Sequence, residues 1–251
     1  MRHVVSRLVA AGLVCFAMSA SAASAVTVTD SRLWIPLQKP TNPISIDYRS
    51  IDLKGEKITF DLRQQFIKPL TDGTTTYDAL IHHYAVDCEA QVINRLWSRV
   101  YDAKATRNEG VEIHPQPGSD RIGLANLKSV CVWRDHGFSV PNLGLDGKWE
   151  ELESPASTHK IFEAPDKRQK SGDFILFTVK NEETPPRTVD GLTWRYILGV
   201  SNYDCRKAEA HTTVVLRYDM DEKPSAIAFY MDQPDVVKLD SNRERYAAAC
   251  K

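Results

Sequence analysis

The residues able to do chemistry are few. His82-His83 is the conspicuous pair. On a strand, neighbours point to opposite faces, so these two cannot easily hold one metal ion. One of them could serve as an axial haem ligand; otherwise one packs and the other faces solvent. His114, His136, His159 and His211 have no ligand spacing between them, and no H-E-x-x-H occurs. Ser157-Thr158-His159-Lys160 has the S-x-x-K spacing in which a lysine amine activates a serine hydroxyl one helical turn away. Here Pro155 precedes it, Ile161-Phe162 reads as strand and no K-T-G follows, so no nucleophile is assigned. No G-x-S-x-G, Walker loop or G-x-G-x-x-G is present. Asp87 and Asp204 each stand beside a cysteine, and their expected role is to bond amides at a strand end. Trp97, Trp133, Trp194, Tyr196 and Tyr203 are core or contact candidates, and those exposed on one sheet face would form a binding patch. Lys167-Arg168-Gln169-Lys170 reads as a solvated basic loop, with an acidic partner such as heparin as the alternative. The expectation is no catalytic residue, no metal and no cofactor: a binding protein, not an enzyme.

The elements that must position these residues begin with an export signal. Arg2, His3 and Arg7 precede an apolar run over 8–18, followed by Ala20-Ser21-Ala22 and Ala23-Ser24-Ala25. This is the pattern of a signal peptide over 1–25, cleaved at Ala22 or Ala25. The run is about half the roughly 20 residues of a membrane helix. Gly12-Leu13-Val14 before Cys15 is not a lipobox. The expected protein is exported, to the periplasm or the outer cell surface, with no membrane span after cleavage. The 251 residues are 42% hydrophobic and 26% charged, as in a soluble globular chain. Lys+Arg 32 against Asp+Glu 33 gives −1, which provides no positive field for nucleic acid.

The rest of the chain repeats at an offset of 117. Gly55 matches Gly172, Ile58 Ile175, Phe60 Phe177, Pro69 Pro186 and Thr76 Thr193. Asp87-Cys88 matches Asp204-Cys205, and Tyr101-Asp102 matches Tyr218-Asp219. Small shifts align Trp34 with Trp149 and Cys131 with Cys250. The duplication divides the chain into repeat 1 (26–133), a Gly- and Pro-bearing linker (134–148) and repeat 2 (149–251). Each repeat is long enough for one small core. Four cysteines remain after the signal, two per repeat. In an oxidising compartment they form disulfides, and of three pairings the duplication selects Cys88–Cys131 and Cys205–Cys250. Each closes a loop of about 45 residues and should stabilise by about 3–4 kcal/mol.

Alternation predicts strands over 57–62, 81–86, 92–101 and 111–114 in the first repeat. In the second it predicts 174–179, 196–201, 212–218 and 226–231. Ser241-Asn242-Arg243-Glu244 is a capping box before Tyr246, Ala249 and Cys250, which share one helical face. Ser119-Asp120 precedes Leu124, Leu127 and Cys131 in the same manner. The expected class is α+β: two tandem domains, each an antiparallel β-sheet with a C-terminal helix tethered by a disulfide.

An early Trp, a strand ending in Cys, a Tyr-Asp strand end and a terminal Cys-bearing helix resemble the surface-adhesin protein E family of Gram-negative bacteria. Here these are Trp34, Cys88, Tyr101-Asp102 and Cys131, then Trp149, Cys205, Tyr218-Asp219 and Cys250. The resemblance implies a six-stranded antiparallel sheet with a helix on its concave side. It also implies binding of host matrix and serum proteins, vitronectin and laminin among them, and of haem. The chain departs from the family in having two copies and no lipobox, and none of the family's ligand-binding residues is matched. The alternative is a periplasmic envelope or structural protein with a small-molecule or cell-wall ligand.

Overall fold

The computed structural model describes residues 32–39, 41–72, 75–101, 125–152, 159–189, 191–234 and 243–251. The signal segment, the 111–114 strand, Ser119, Asp120, Leu124, Ser157, Ser241 and Asn242 lie outside them.

Two antiparallel sheets make up most of the molecule. The first is formed in order by β1 (Trp34–Pro36), β2 (Ile44–Asp52), β3 (Ile58–Asp72), β4 (Thr75–Asp87) and β5 (Val92–Tyr101). A 3-10 segment (Ala125–Val130) then runs into the short helix α1 (Cys131–Asp135). The second sheet contains β6 (Glu150–Leu152), β7 (His159–Glu163), β8 (Gln169–Ser171), β9 (Phe174–Val189), β10 (Leu192–Asp204), β11 (Glu209–Tyr218) and β12 (Pro224–Pro234). Its order is β12-β11-β10-β9-β7-β6, with β8 paired to β9. Helix α2 (Arg243–Ala249) follows. Cys88, just after β4, is bonded to Cys131, and Cys205, just after β10, to Cys250.

Two strands of each sheet correspond in length and register. β4 and β10, and β5 and β11, are offset by 117 residues at both ends. Registers match too: Ala79 faces Tyr101 as Tyr196 faces Tyr218, and Ile58 faces Val86 as Ile175 faces Tyr203. The register shifts between His83 and Tyr84 and again between Val200 and Ser201, which places a bulge residue at Leu96 and at Thr213. The hairpin β3–β4 is closed by Thr71–Thr76 hydroxyls 3.1 Å apart, and β9–β10 by Thr188–Thr193 at 2.8 Å.

Strand alternation gives each sheet two faces. In the first, Ile58, Phe60, Leu62, Tyr84 and Val86 point to the side that receives Leu127, Val130, Cys131 and Trp133. We call this helix-bearing side the front. In the second sheet the matching residues Ile175, Phe177 and Tyr203 face Tyr246 of α2, which stacks on Phe177 at 4.3 Å. The sheets do not keep separate cores. The back of the second sheet, through Leu198, Val200, Val214, Leu216, Ile227 and Phe229, completes the cluster on the front of the first. Trp133 Nε1 donates to Thr213 Oγ1 at 3.3 Å, and Ser129 Oγ to the Thr213 carbonyl at 3.2 Å. At the rim, the Gln38 amide donates to the Ile227 carbonyl at 2.6 Å. The layers run sheet, helical segment, sheet, helix, with the front of the first sheet on the back of the second.

The segment 136–148 is irregular and forms part of the core. Phe138 and Leu143 are each 5% exposed. Tyr48 of the first sheet donates its hydroxyl to the Pro141 carbonyl at 3.0 Å, and Tyr218 of the second donates to the Leu143 carbonyl. Burial pushes the Tyr218 phenol up to about 12, with Asp146 adding to it, and holds Tyr48 well above its usual value. The folded chain therefore keeps these protons to higher pH than the unfolded chain. Their contribution is complete below pH about 10 and is lost as pH rises toward about 12. For Tyr218 the loss amounts to about 2 kcal/mol. Denaturant midpoints measured from neutral to alkaline pH should fall in that window. Tyr218→Phe should shallow the fall while costing about 1 kcal/mol at neutral pH. A midpoint that does not move between about pH 10 and 12 would show that the phenols are hydrated.

Candidate functional site

Cross-strand pairing brings five residues into one row on the back of the first sheet. Trp34 faces Asp47, Asp47 faces Asp61, Asp61 faces His83 and His83 faces Trp97, one residue from each strand in turn. The next row holds Arg63, Ile81 and Arg99. Both rows point away from the shared core, because their positions alternate with the core residues of each strand.

The row is tied together. His83 Nδ1 lies 2.7 Å from Asp61 Oδ1, and its ring stacks on Trp97 at 4.9 Å with an interplanar angle of 14°. The Arg99 guanidinium sits 4.5 Å from the Trp97 ring centre. Arg63 and Arg32 lie 5.2 and 5.6 Å from that of Trp34, and Arg32 reaches Asp61 at 3.5 Å. Asp47 is 5% exposed. Burial raises its pKa and the Asp61 charge adds to this, against the Arg49 amide and Arg32. An aspartate that fixes an imidazole is half of a general-base arrangement. The row offers two indole platforms, guanidiniums stacked on them and a half-buried acid–imidazole pair between them.

The same row in the second sheet reads Ala164, Thr178, Val200 and Val214, all at most 1% exposed. There it packs against the first unit. An outermost face needs polar residues for solubility, but solubility does not call for two tryptophans.

The other candidates fall elsewhere. His82 points to the front and is 3% exposed, with Nδ1 2.7 Å from Ser98 Oγ and Nε2 3.5 Å from Gln64 Oε1. It is a packed histidine with both ring nitrogens engaged. Lys160 lies in β7, 3.7 Å from Glu151, while Ser157 lies outside the described residues. Asp87 accepts the Ala90 amide at 2.9 Å, which is the first cause of its lowered pKa, and Asp204 accepts the Arg206 and Lys207 amides at 2.9 and 3.3 Å. Both turn the chain after β4 and β10. Trp133, Tyr203, Trp194 and Tyr196 are buried.

The basic run 167–170 is not a solvated loop. Lys167 is 5% exposed, donates to the Gly144 carbonyl at 2.5 Å and lies 5.0 Å from the Trp149 ring centre. Arg168 donates twice to Glu163 Oε1, at 3.0 and 2.5 Å, and Glu163 is fully buried. Gln169 accepts the Ser139 amide at 2.7 Å. Lys170 caps the Ala249 and Cys250 carbonyls at 3.1 and 2.9 Å. The run fastens linker, second sheet and terminal helix together. Asp47 and Asp61 carry no sequence signal of their own, since only the register places them beside His83.

Among the described residues no group of three or more His, Cys, Asp or Glu could hold a metal ion, and no helix is long and apolar enough to cross a membrane. Fold and site define a mostly antiparallel β-protein with two disulfides and an aromatic, charged face on the first sheet. No family model matches the chain, and no curated protein matches it either.

Proposed function

We propose that the chain is two copies of one α+β unit stacked front to back, each with its terminal helix tethered to the sheet by a disulfide. In this reading it is an exported, non-catalytic binding protein of the surface-adhesin protein E type, and its contact face is the Trp34–Asp47–Asp61–His83–Trp97 row. The matched registers at offset 117 support the duplication. The disulfides fit an oxidising compartment. The row carries the binding reading: tryptophan and arginine dominate interface energetics, and stacking on the indoles orders the guanidiniums before a partner arrives. Vitronectin and laminin are the partners the family resemblance supplies.

The test is binding of the oxidised protein to immobilised vitronectin and laminin. Saturable binding is expected. Replacing both Trp34 and Trp97 by Ser should weaken it by about tenfold or more, the equivalent of about 1.4 kcal/mol, with circular dichroism unchanged. Absence of saturable binding to either protein, or equal binding by the double variant, would remove this function.

A further inference from the structure

We propose a second site, for a small carboxylic acid that also bears a hydrogen-bond donor (an amino or hydroxy acid), in the seam between the two units. It is independent of the sheet-face reading and lies on the back of the second sheet. A cavity of about 200 Å³ opens there between the first unit's helical segment and β10–β12. That is small beside the roughly 300–1,000 Å³ that holds a drug-sized ligand, so the occupant is a small solute.

The floor is the cross-strand pair Asn202 and His211. Asn202 is 6% exposed and its Oδ1 has no hydrogen-bond partner; His211 Nδ1 is buried and equally unpaired. A buried amide oxygen without a donor costs about 1–3 kcal/mol, and two such atoms on the cross-strand pair that lines the cavity are what a ligand would satisfy. Thr213, the bulge residue of β11, is already spent: its hydroxyl donates to the Val200 carbonyl at 3.2 Å and accepts from Trp133. Across the cavity the first unit supplies Lys128, which makes no ion pair among the described residues. Val132 and Met231 line the apolar remainder.

The chemistry follows from these groups. Lys128 supplies a cation for a carboxylate, Asn202 Oδ1 accepts from an ammonium or hydroxyl group, and the His211 ring nitrogen takes either role by tautomer. The matching positions in the first sheet, Ala85 and Asn94, do not reproduce the pair. The site therefore belongs to the seam, not to the repeated unit.

The oxidised protein should be titrated calorimetrically with L-lactate, L- and D-alanine and the dipeptide alanylalanine, with ethanolamine and isobutanol as controls. At least one acid should bind at millimolar concentration or better and raise the melting temperature. Lactate or alanine would identify a free acid as the source, and the dipeptide alone would identify the carboxyl end of a peptide. Lys128→Met, at a half-exposed position, should weaken binding about tenfold or more, and Asn202→Leu should do the same by removing the acceptor for the ligand's ammonium or hydroxyl group. Should Asn202→Leu fail to fold, His211→Gln with unchanged melting and lowered affinity serves in its place. Silence from every acid, equal binding of ethanolamine, or full affinity in Lys128→Met would overturn the site.

Discussion

Trp133→Ala is expected to lower the unfolding free energy by about 3–5 kcal/mol, the usual cost of deleting a buried aromatic. Trp133 is fully buried although it sits on a helix of only five residues. A helix that short has no stability of its own, and it is held by the disulfide at its first residue and by what the indole touches. The ring meets Tyr48 edge-on at 6.5 Å on one side, and Nε1 donates to Thr213 on the other. Truncation opens a cavity between two sheets that cannot both collapse into it. Because the first sheet's front and the second sheet's back form one cluster, the loss should appear as a single cooperative transition at lower denaturant. Equilibrium unfolding followed by tryptophan fluorescence and far-UV circular dichroism checks this. A variant in which one sheet melts early and the other keeps its wild-type midpoint would show that the cores are separable.

Arg168→Met is expected to cost about as much, about 3–5 kcal/mol, by a different route. Glu163 is fully buried and takes both donors of the guanidinium on one carboxylate oxygen. Methionine keeps most of the apolar stem but leaves the carboxylate without that cation. Removing one partner of a buried pair is far more costly than replacing both. The double replacement Arg168→Met with Glu163→Gln should therefore recover much of the loss. A loss under about 1 kcal/mol in the single variant would mean the pair behaves like an exposed one. Lys170 lies two residues along and caps the carbonyls at the end of α2, so amide exchange in that helix should also quicken. Denaturant titration of the three proteins, with exchange read by mass spectrometry, covers both expectations.

Local chemistry was legible residue by residue. The β5 range is the range its alternation predicts, because a half-buried strand shows period two in any context. β2 carries the same signal in Ile44, Ile46 and Tyr48. Asp87 and Asp204 turn the chain as expected, since an aspartate beside a strand end finds amides within two or three residues. The strands through Pro69 and Pro186 run longer than their apolar cores suggest, because hairpin pairing and the threonine contacts sustain a stretch with no hydrophobic signal.

By itself the sequence determined β5, the apolar stretches of the other long alternating strands, the cysteine partners and the 117-residue correspondence, all of which depend on spacing along the chain. Tertiary structure decided the rest, because the rest depends on which distant residues share a face. Register alone put Asp47, Asp61 and His83 in line between two tryptophans. Proximity alone turned Lys167 to Lys170 from an open basic run into a clasp on Gly144, Glu163, Ser139 and the end of α2. Stacking alone made the His83 row an outer face and the equivalent Val200 row a core. The same backbone position is polar on the back of the first sheet and apolar where the back of the second sheet meets the first.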